Sequence, residues 1–200
     1  MGEIFITSDT HFCHIPEFLW QPRGFKSVEE MNEAIVERWN NVVKSEDKVW
    51  HLGDIALSDT EKAIKYINQL NGEIMWIGGN HDSANRIKLI LQECPRIFWI
   101  GWASLTKIGK ISCYLSHYPT FTANYDEKHF SQHVINLHAH THQKTNFLNP
   151  TNPFMYHVGM DSHNCTPIHI ETAINEVRQR WNDMQSQKIS IRELYDYPLN

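Results

Sequence analysis

Thirteen of the 200 residues are histidine, and they are scattered along the chain rather than gathered at one end. Histidine is the commonest metal ligand and a frequent general acid or base. Several of them stand with carboxylates in short polar clusters, each following an apolar run. Asp9-Thr10-His11 follows Ile4 to Thr7, Gly53-Asp54 follows Val49 to Leu52, and Gly79-Asn80-His81-Asp82 follows Ile74 to Ile77. His117 follows Ile111 to Leu115, and His138-Ala139-His140-Thr141-His142 follows Val134 to Leu137. Carboxylates, imidazoles and amides together suit a divalent metal ion. Asp9 and His11 are two residues apart, as are His140 and His142; in an extended segment the members of each pair point to one face and can grip one ion. Taken singly, each cluster also reads as a polar loop after a strand.

The surrounding elements must bring these clusters together. Two glycines after Ile77 permit a sharp turn, and Ser83 is placed to cap a helix whose face is Ala84, Ile87 and Leu91. Ser27-Val28-Glu29-Glu30 is a capping-box pattern, followed by a stripe of Met31, Ile35, Trp39 and Val42. Ser58 or Asp59 can cap a helix with the face Ala63, Ile64, Ile67 and Leu70, which stops near Asn71-Gly72. Strand and helix thus alternate three times, which predicts a parallel sheet with right-handed crossovers. Polar side chains at the carboxyl ends of such strands sit where open α/β sheets bind ligands. After Pro95 come strand-like runs at 97–100, 104–108 and 111–115, with Gly109-Lys110 as a hairpin turn. Met155 to Val158 is a further strand leading to Gly159-Met160-Asp161. A C-terminal helix over about 171–185 carries the seam Ile170, Ile174, Val177, Trp181 and Met184, which packs on the sheet. Residues 15–26, 120–132 and 143–154 read as loops; Arg23 in the first of them faces either an anionic substrate or solvent.

A 41% hydrophobic and 12% aromatic composition supports a real core, and 200 residues fit one domain spanning 1–200. The net charge of −5 argues against a broad basic surface for duplex nucleic acid, although a local patch is not excluded. No apolar run approaches the length of a membrane span, and the N-terminus enters a strand pattern without a basic or apolar leader. Cys13, Cys94, Cys113 and Cys165 form no close pair and read as reduced thiols of a cytoplasmic protein. The same absence of a cysteine pair argues against a structural zinc site.

Taken together and in order, the clusters resemble the calcineurin-like metallophosphoesterases. The family pattern DxH…GD…GNH[DE]…H…GHxH is matched by Asp9-Thr10-His11, Gly53-Asp54, Gly79-Asn80-His81-Asp82, His117 and Ala139-His140-Thr141-His142, over residues 4 to about 165. The phrases SDTHF, HLGDIAL and SHYP look most like small phosphoesterases of bacteria and their phages. The resemblance implies a four-layer αββα sandwich, two mixed sheets flanked by helices. It implies two divalent ions, Mn²⁺ foremost, with Fe, Zn²⁺ or Ni²⁺ as alternatives. Asp9, His11 and His142 would hold one ion and Asn80, His117 and His140 the other, with Asp54 bridging. His81 would be the general acid, Asp82 would orient it, and a metal-bound hydroxide would attack a small phosphodiester or nucleotide. A protein phosphatase, a nuclease or a non-catalytic metal-binding scaffold are the alternatives, and the presence of all seven ligand positions and of His81 speaks against the scaffold. The family's glycine before the last HxH is Ala139 here, whose methyl would narrow the site or shift His140. His14, His51, His138 and Asp161 are candidates to support the ligands. His129, His133, His157, His163 and His169 read as ordinary, and Cys13 as a small buried filler.

Overall fold

A computed structural model of the chain describes residues 2–122, 129–149 and 152–187. Residues 123–128 of the predicted 120–132 loop and the Pro150-Thr151 part of the 143–154 loop lie outside those residues. Nine strands and five α-helices are described. The strands are β1 (Ile4–Thr7), β2 (Lys48–His51), β3 (Glu73–Ile77), β4 (Ile97–Gly101), β5 (Ala103–Ile108), β6 (Ile111–Ser116), β7 (Val134–His138), β8 (Met155–His157) and β9 (Ile168–His169). The helices are α1 (Glu17–Trp20), α2 (Val28–Val42), α3 (Thr60–Ile67), α4 (Ala84–Glu93) and α5 (Ile170–Ser186). The two-residue β9 and the one-turn α1 were not legible in the sequence, because neither is long enough to show a period.

The strands form two mixed sheets. One has the order β4-β3-β2-β1-β9, parallel except for antiparallel β9; the other has the order β5-β6-β7-β8, parallel except for the β5–β6 hairpin. Register places Thr7 beside His51 and His51 beside Trp76, so β1, β2 and β3 end together. In the second sheet Ser116, His138 and His157 are likewise aligned. A parallel bridge between Ser8 and Gly159, with Met160 N–H donating to Ser8 O at 3.2 Å, joins the two sets of carboxyl ends. All five polar clusters therefore open at one edge.

Alternation along each strand divides the apolar residues. Phe5, Val49, Ile74 and Trp76 join Met31, Ile35, Trp39, Ala63, Ile67, Leu70 and Ile90 in one cluster, between the five-stranded sheet and α2, α3 and α4. Ile6, Leu52 and Ile77 join Leu115, Leu137 and Tyr156 of the second sheet and Ile174 and Val177 of α5 in another. The helix N-termini are capped by Ser27, Asp59 and Ser83, as their types dictate. Two details of the stripes differ from the sequence reading. Val42 is 37% exposed while its neighbour Val43 is fully buried, because α2 ends there and Val43 continues in extended backbone. On α4 the fully buried residue is Ile90, with Ile87 and Leu91 flanking it. Among the described residues no helix is long and apolar enough to cross a membrane.

Truncating Ile35, which has no exposed surface, is expected to cost about 2–5 kcal/mol. Val42→Ala is expected to cost less than about 0.5 kcal/mol. Urea unfolding of the two variants measures the difference.

Candidate metal centre

The ligand-type side chains sit on backbone that few residues adopt readily. Asp9, His11, Asp54, His140 and His142 all have positive φ, between 48° and 71°. The reason given above for Asp9 and His11 sharing a face, an extended segment, is therefore corrected: each lies in the left-handed region, and so do His140 and His142. Such conformations cost of order 1–3 kcal/mol each and persist only where the surroundings hold them. What holds them here is a set of backbone hydrogen bonds that continue the ladders past the strand ends. Asp9 N–H donates to Gly53 O and His11 N–H to Asp54 O, both at 3.0 Å, and Ala139 N–H donates to His117 O at 2.9 Å.

Two glycines make the approach possible. Gly53 has φ +98°, and a Cβ there would lie 2.5 Å from Gly79 N and 2.7 Å from His117 Nδ1. A Cβ on Gly79 would lie 2.2 Å from Asp54 Oδ1.

The side chains converge on two groups. Asp9, His11 and His142 bring ligand atoms within 4.8 Å of one another, and so do Asp9, Asp54 and His117. Asp54 Oδ2 lies 3.6 Å from His11 Nε2 and 3.4 Å from His117 Nε2. His117 donates from Nδ1 to Leu52 O at 2.8 Å, which leaves Nε2 facing Asn80 Oδ1 at 2.9 Å. His140 packs against His117 and Tyr118, with ring centroids 5.1 and 4.8 Å away, and its N–H meets Asp9 Oδ2 at 3.2 Å. It adjoins the two tight groups without belonging to either. His81 is half-buried, with its ring 5.6 Å from that of His11 and its N–H donating to Asp54 Oδ1 at 2.8 Å.

These residues fit a cation. Asp9 Oδ1 and both ring nitrogens of His11 are buried without a hydrogen-bond partner. Buried polar atoms are nearly always paired, so a converging set that is not paired asks for a ligand. Burial pushes the Asp9 carboxyl above its ordinary pKa, and His142 and His117 offset that only in part. Burial drives the His11 imidazole well below its ordinary value, which keeps it neutral and able to ligate.

Asp82 does not orient the His81 ring, contrary to the sequence reading. Its carboxylate instead accepts the N–H groups of Asp54 (2.7 Å), Gly79 (2.8 Å) and Ile55 (3.3 Å). It thereby locks the loop after β2 to the loop after β3. Burial nonetheless raises its pKa to about 6.

Arg23 is also corrected. It is turned inward rather than to solvent: its side chain is 2% exposed. Its guanidinium forks onto Asp161, with Nε to Oδ1 at 3.0 Å and Nη2 to Oδ2 at 2.7 Å, and Nη2 also donates to Asp9 O at 2.8 Å. Asp161 Oδ2 in turn accepts from His142 Nδ1 at 2.9 Å, which directs the lone pair of Nε2 toward Asp9. Burial alone would raise the Asp161 carboxyl; the bonds from His142 and Arg23 outweigh it and hold the pKa far below the usual range. A carboxylate behind a ligand histidine fixes its tautomer and orientation.

The remaining histidines sort by position. His14 packs 5.2 Å from His11, and its edge meets Phe18. His51 bonds the Thr10 hydroxyl at 3.0 Å, behind the Asp9–His11 loop. His157 is not ordinary: it is fully buried, 5.6 Å from His138, and the missing side chain of Gly159 leaves room for both its ring and Asp9 Oδ2. The pairing of β7 with β8, which aligns His138 with His157, is the signal that would have found it. The Ala139 methyl lies in the apolar cluster with Leu52 and Leu137, so it does not narrow the site. Cys13 is a buried filler as expected.

Comparison with known proteins accords with this geometry. The calcineurin-like phosphoesterase superfamily domain matches residues 3–153, and the chain belongs to that family. It is a metal-dependent phosphoesterase, a hydrolase of phosphate ester bonds. A segment of 84 residues is 46% identical to protein MJ1445 of Methanocaldococcus jannaschii, covering 41% of this chain and 48% of that protein, so the match spans about half the archaeal relative. The Gene 66 protein of Mycobacterium phage D29 is 28% identical over 205 residues, 92% of this chain and 98% of its own. The crystal structure of AQ665 from Aquifex aeolicus shares the fold with a TM-score of 0.65 at 20% identity, over 88% of this chain and 99% of that one.

Asp161→Ala should weaken metal binding about 10–100-fold while leaving the unfolding transition cooperative. Calorimetric titration of the stripped protein with Mn²⁺ measures it, and unchanged affinity would show that Asp161 only braces Arg23.

Proposed function

We propose that this protein hydrolyses a small phosphate ester, a phosphodiester or nucleotide, at a two-metal site. Asp9, His11 and His142 would hold one ion, Asn80, His117 and His140 the other, and Asp54 would be shared. The observation that carries this reading is the position of Asp54 Oδ2, flanked by His11 Nε2 at 3.6 Å and His117 Nε2 at 3.4 Å. A single carboxylate oxygen between imidazoles of opposite sides suits a bridging ligand. Two divalent ions, when bound, withdraw charge from the phosphoryl oxygens and acidify a water molecule. Oxygen and imidazole ligands without thiolate suit Mn²⁺, Fe, Ni²⁺ or Zn²⁺, and Mn²⁺ is our first assignment.

The chain's own groups do the rest. His81 rides on a backbone pinned at both ends of the residue, its N–H by Asp54 and its carbonyl by Arg86. We assign its ring to donate a proton to the leaving oxygen. Asp82 keeps the loops carrying Asp54 and Asn80 at a fixed separation, so that both sides meet one phosphoryl group. The short loops around the site and the net charge of −5 favour a small substrate over duplex nucleic acid. Four free, buried cysteines favour a reducing compartment such as the cytoplasm.

Stripping the protein of metal should abolish hydrolysis of bis-p-nitrophenyl phosphate, and Mn²⁺ should restore it. Asp54→Asn should weaken both ions and remove turnover; wild-type turnover in that variant would sink the bridging assignment. His81→Ala should retain metal but slow esters with poor leaving groups by about 10²–10⁴. An equal loss for good leaving groups would argue against proton donation.

A further inference from the structure

Two large aromatic side chains stand open to solvent at the rim of the metal centre. Phe18 on α1 is 72% exposed, and its ring meets the His14 ring edge-on at 5.4 Å. His14 in turn lies 5.2 Å from His11 and 6.4 Å from His81. Beside the other ligand group, Tyr118 is 53% exposed with its ring 4.8 Å from His140 and 5.4 Å from His117. Neither aromatic belongs to an apolar cluster of the core.

Both are held in place. Trp20 Nε1 donates to Ile15 O at 2.9 Å, Gln21 N–H to Glu17 O at 3.0 Å and Phe25 N–H to Trp20 O at 3.1 Å, so α1 sits on a closed loop. The Tyr118 carbonyl accepts from the Ser116 and Thr120 hydroxyls at 2.8 and 3.1 Å. Among the described residues, the arginines and the lysine that border the site are engaged elsewhere. Arg23 is forked onto Asp161, Arg86 bonds the His81 carbonyl and Thr60, and Lys144 bonds the Pro22 carbonyl at 2.9 Å. The described part of the rim thus offers flat aromatic faces, with its arginines and lysine already bonded.

Resting on the phosphoesterase reading above, the geometry points to Phe18 and Tyr118 as the subsite for the esterified part of the substrate, and to a planar nucleobase as the group it takes. Stacking on an aromatic face is tolerant of base identity, because every base has a π-face. Among the described residues that border the site, no unengaged lysine or arginine awaits a second phosphate or an oligonucleotide backbone, which favours a mononucleotide ester over a polyphosphate or a polynucleotide.

The test compares adenosine 5′-monophosphate with ribose 5-phosphate as inhibitors of Mn²⁺-dependent bis-p-nitrophenyl phosphate hydrolysis. The two share the phosphate and the ribose and differ at the anomeric carbon, which carries adenine in one and a hydroxyl in the other. In the wild-type protein the nucleotide should inhibit at about 10–100-fold lower concentration, the reach of one stacked base. Phe18→Ala and Tyr118→Ala should each shrink that ratio, the double variant should bring it near one, and Phe18→Trp should preserve it. Equal inhibition by both compounds in the wild type, or a ratio indifferent to both alanine substitutions, overturns the subsite while leaving the phosphoesterase reading intact. Absence of any Mn²⁺-dependent hydrolysis overturns both.

Discussion

The structure depends on a crowd of buried carboxylates and imidazoles gathered where one cation can meet them together. Asp9 and Asp54 bring carboxylate oxygens within 4.8 Å of imidazole nitrogens of His11, His117 and His142. The carboxylates lose hydration on burial, and Asp9 Oδ1 and the His11 ring gain no hydrogen-bond partner in exchange. A divalent ion attracts every one of these oxygen and nitrogen atoms and replaces the hydration they lose. Holding the acceptors in readiness for it is the task of the surrounding backbone, and it is a costly one. Left-handed residues recur at Asp9, His11, Asp54, His140 and His142 because the loops must fold back tightly enough to aim successive side chains at one point.

The supports of this crowd are shared between the two sheets. Asp82 ties the β2 and β3 loops within the first sheet. Arg23 and Asp161 tie the loop after β1 to the loop after β8 in the second sheet, and carry that tie to His142. The Ser8–Gly159 bridge does the same through backbone. A change in one sheet is therefore felt by ligand atoms on the other, which makes Arg23, Asp82 and Asp161 more than surface charges. Arg23 illustrates the energetics: a buried arginine is tolerated because its fork is matched by one carboxylate and one carbonyl, leaving little of its charge uncompensated.

Elements with a clear period were legible in the sequence. The parallel character of β1, β2 and β3, the β5–β6 hairpin at Gly109-Lys110 and the amphipathic α2, α3 and α5 all follow from short-range patterns of apolar residues, caps and turn formers. Elements too short to carry a period, α1 and β9, did not show. Individual stripe residues at helix ends, such as Val42, were assigned to the core because a 3.6-residue period has no knowledge of where the helix stops.

The sequence by itself determined which residue types stand at the strand ends, and with them the family and the residues that gather round the site. Those signals are local: two to four consecutive residues after an apolar run, in a fixed order. Only the tertiary structure decided what the neighbours of those residues do. Asp82 adjoins His81 in the chain yet serves the Asp54 loop, because the turn at Gly79 points its carboxylate back at three N–H groups. Arg23 and Asp161 are 138 residues apart and form one buried fork. His157 is brought behind Asp9 by strand register alone. Such partnerships depend on how the two sheets abut, a long-range packing that no short-range pattern in the chain encodes.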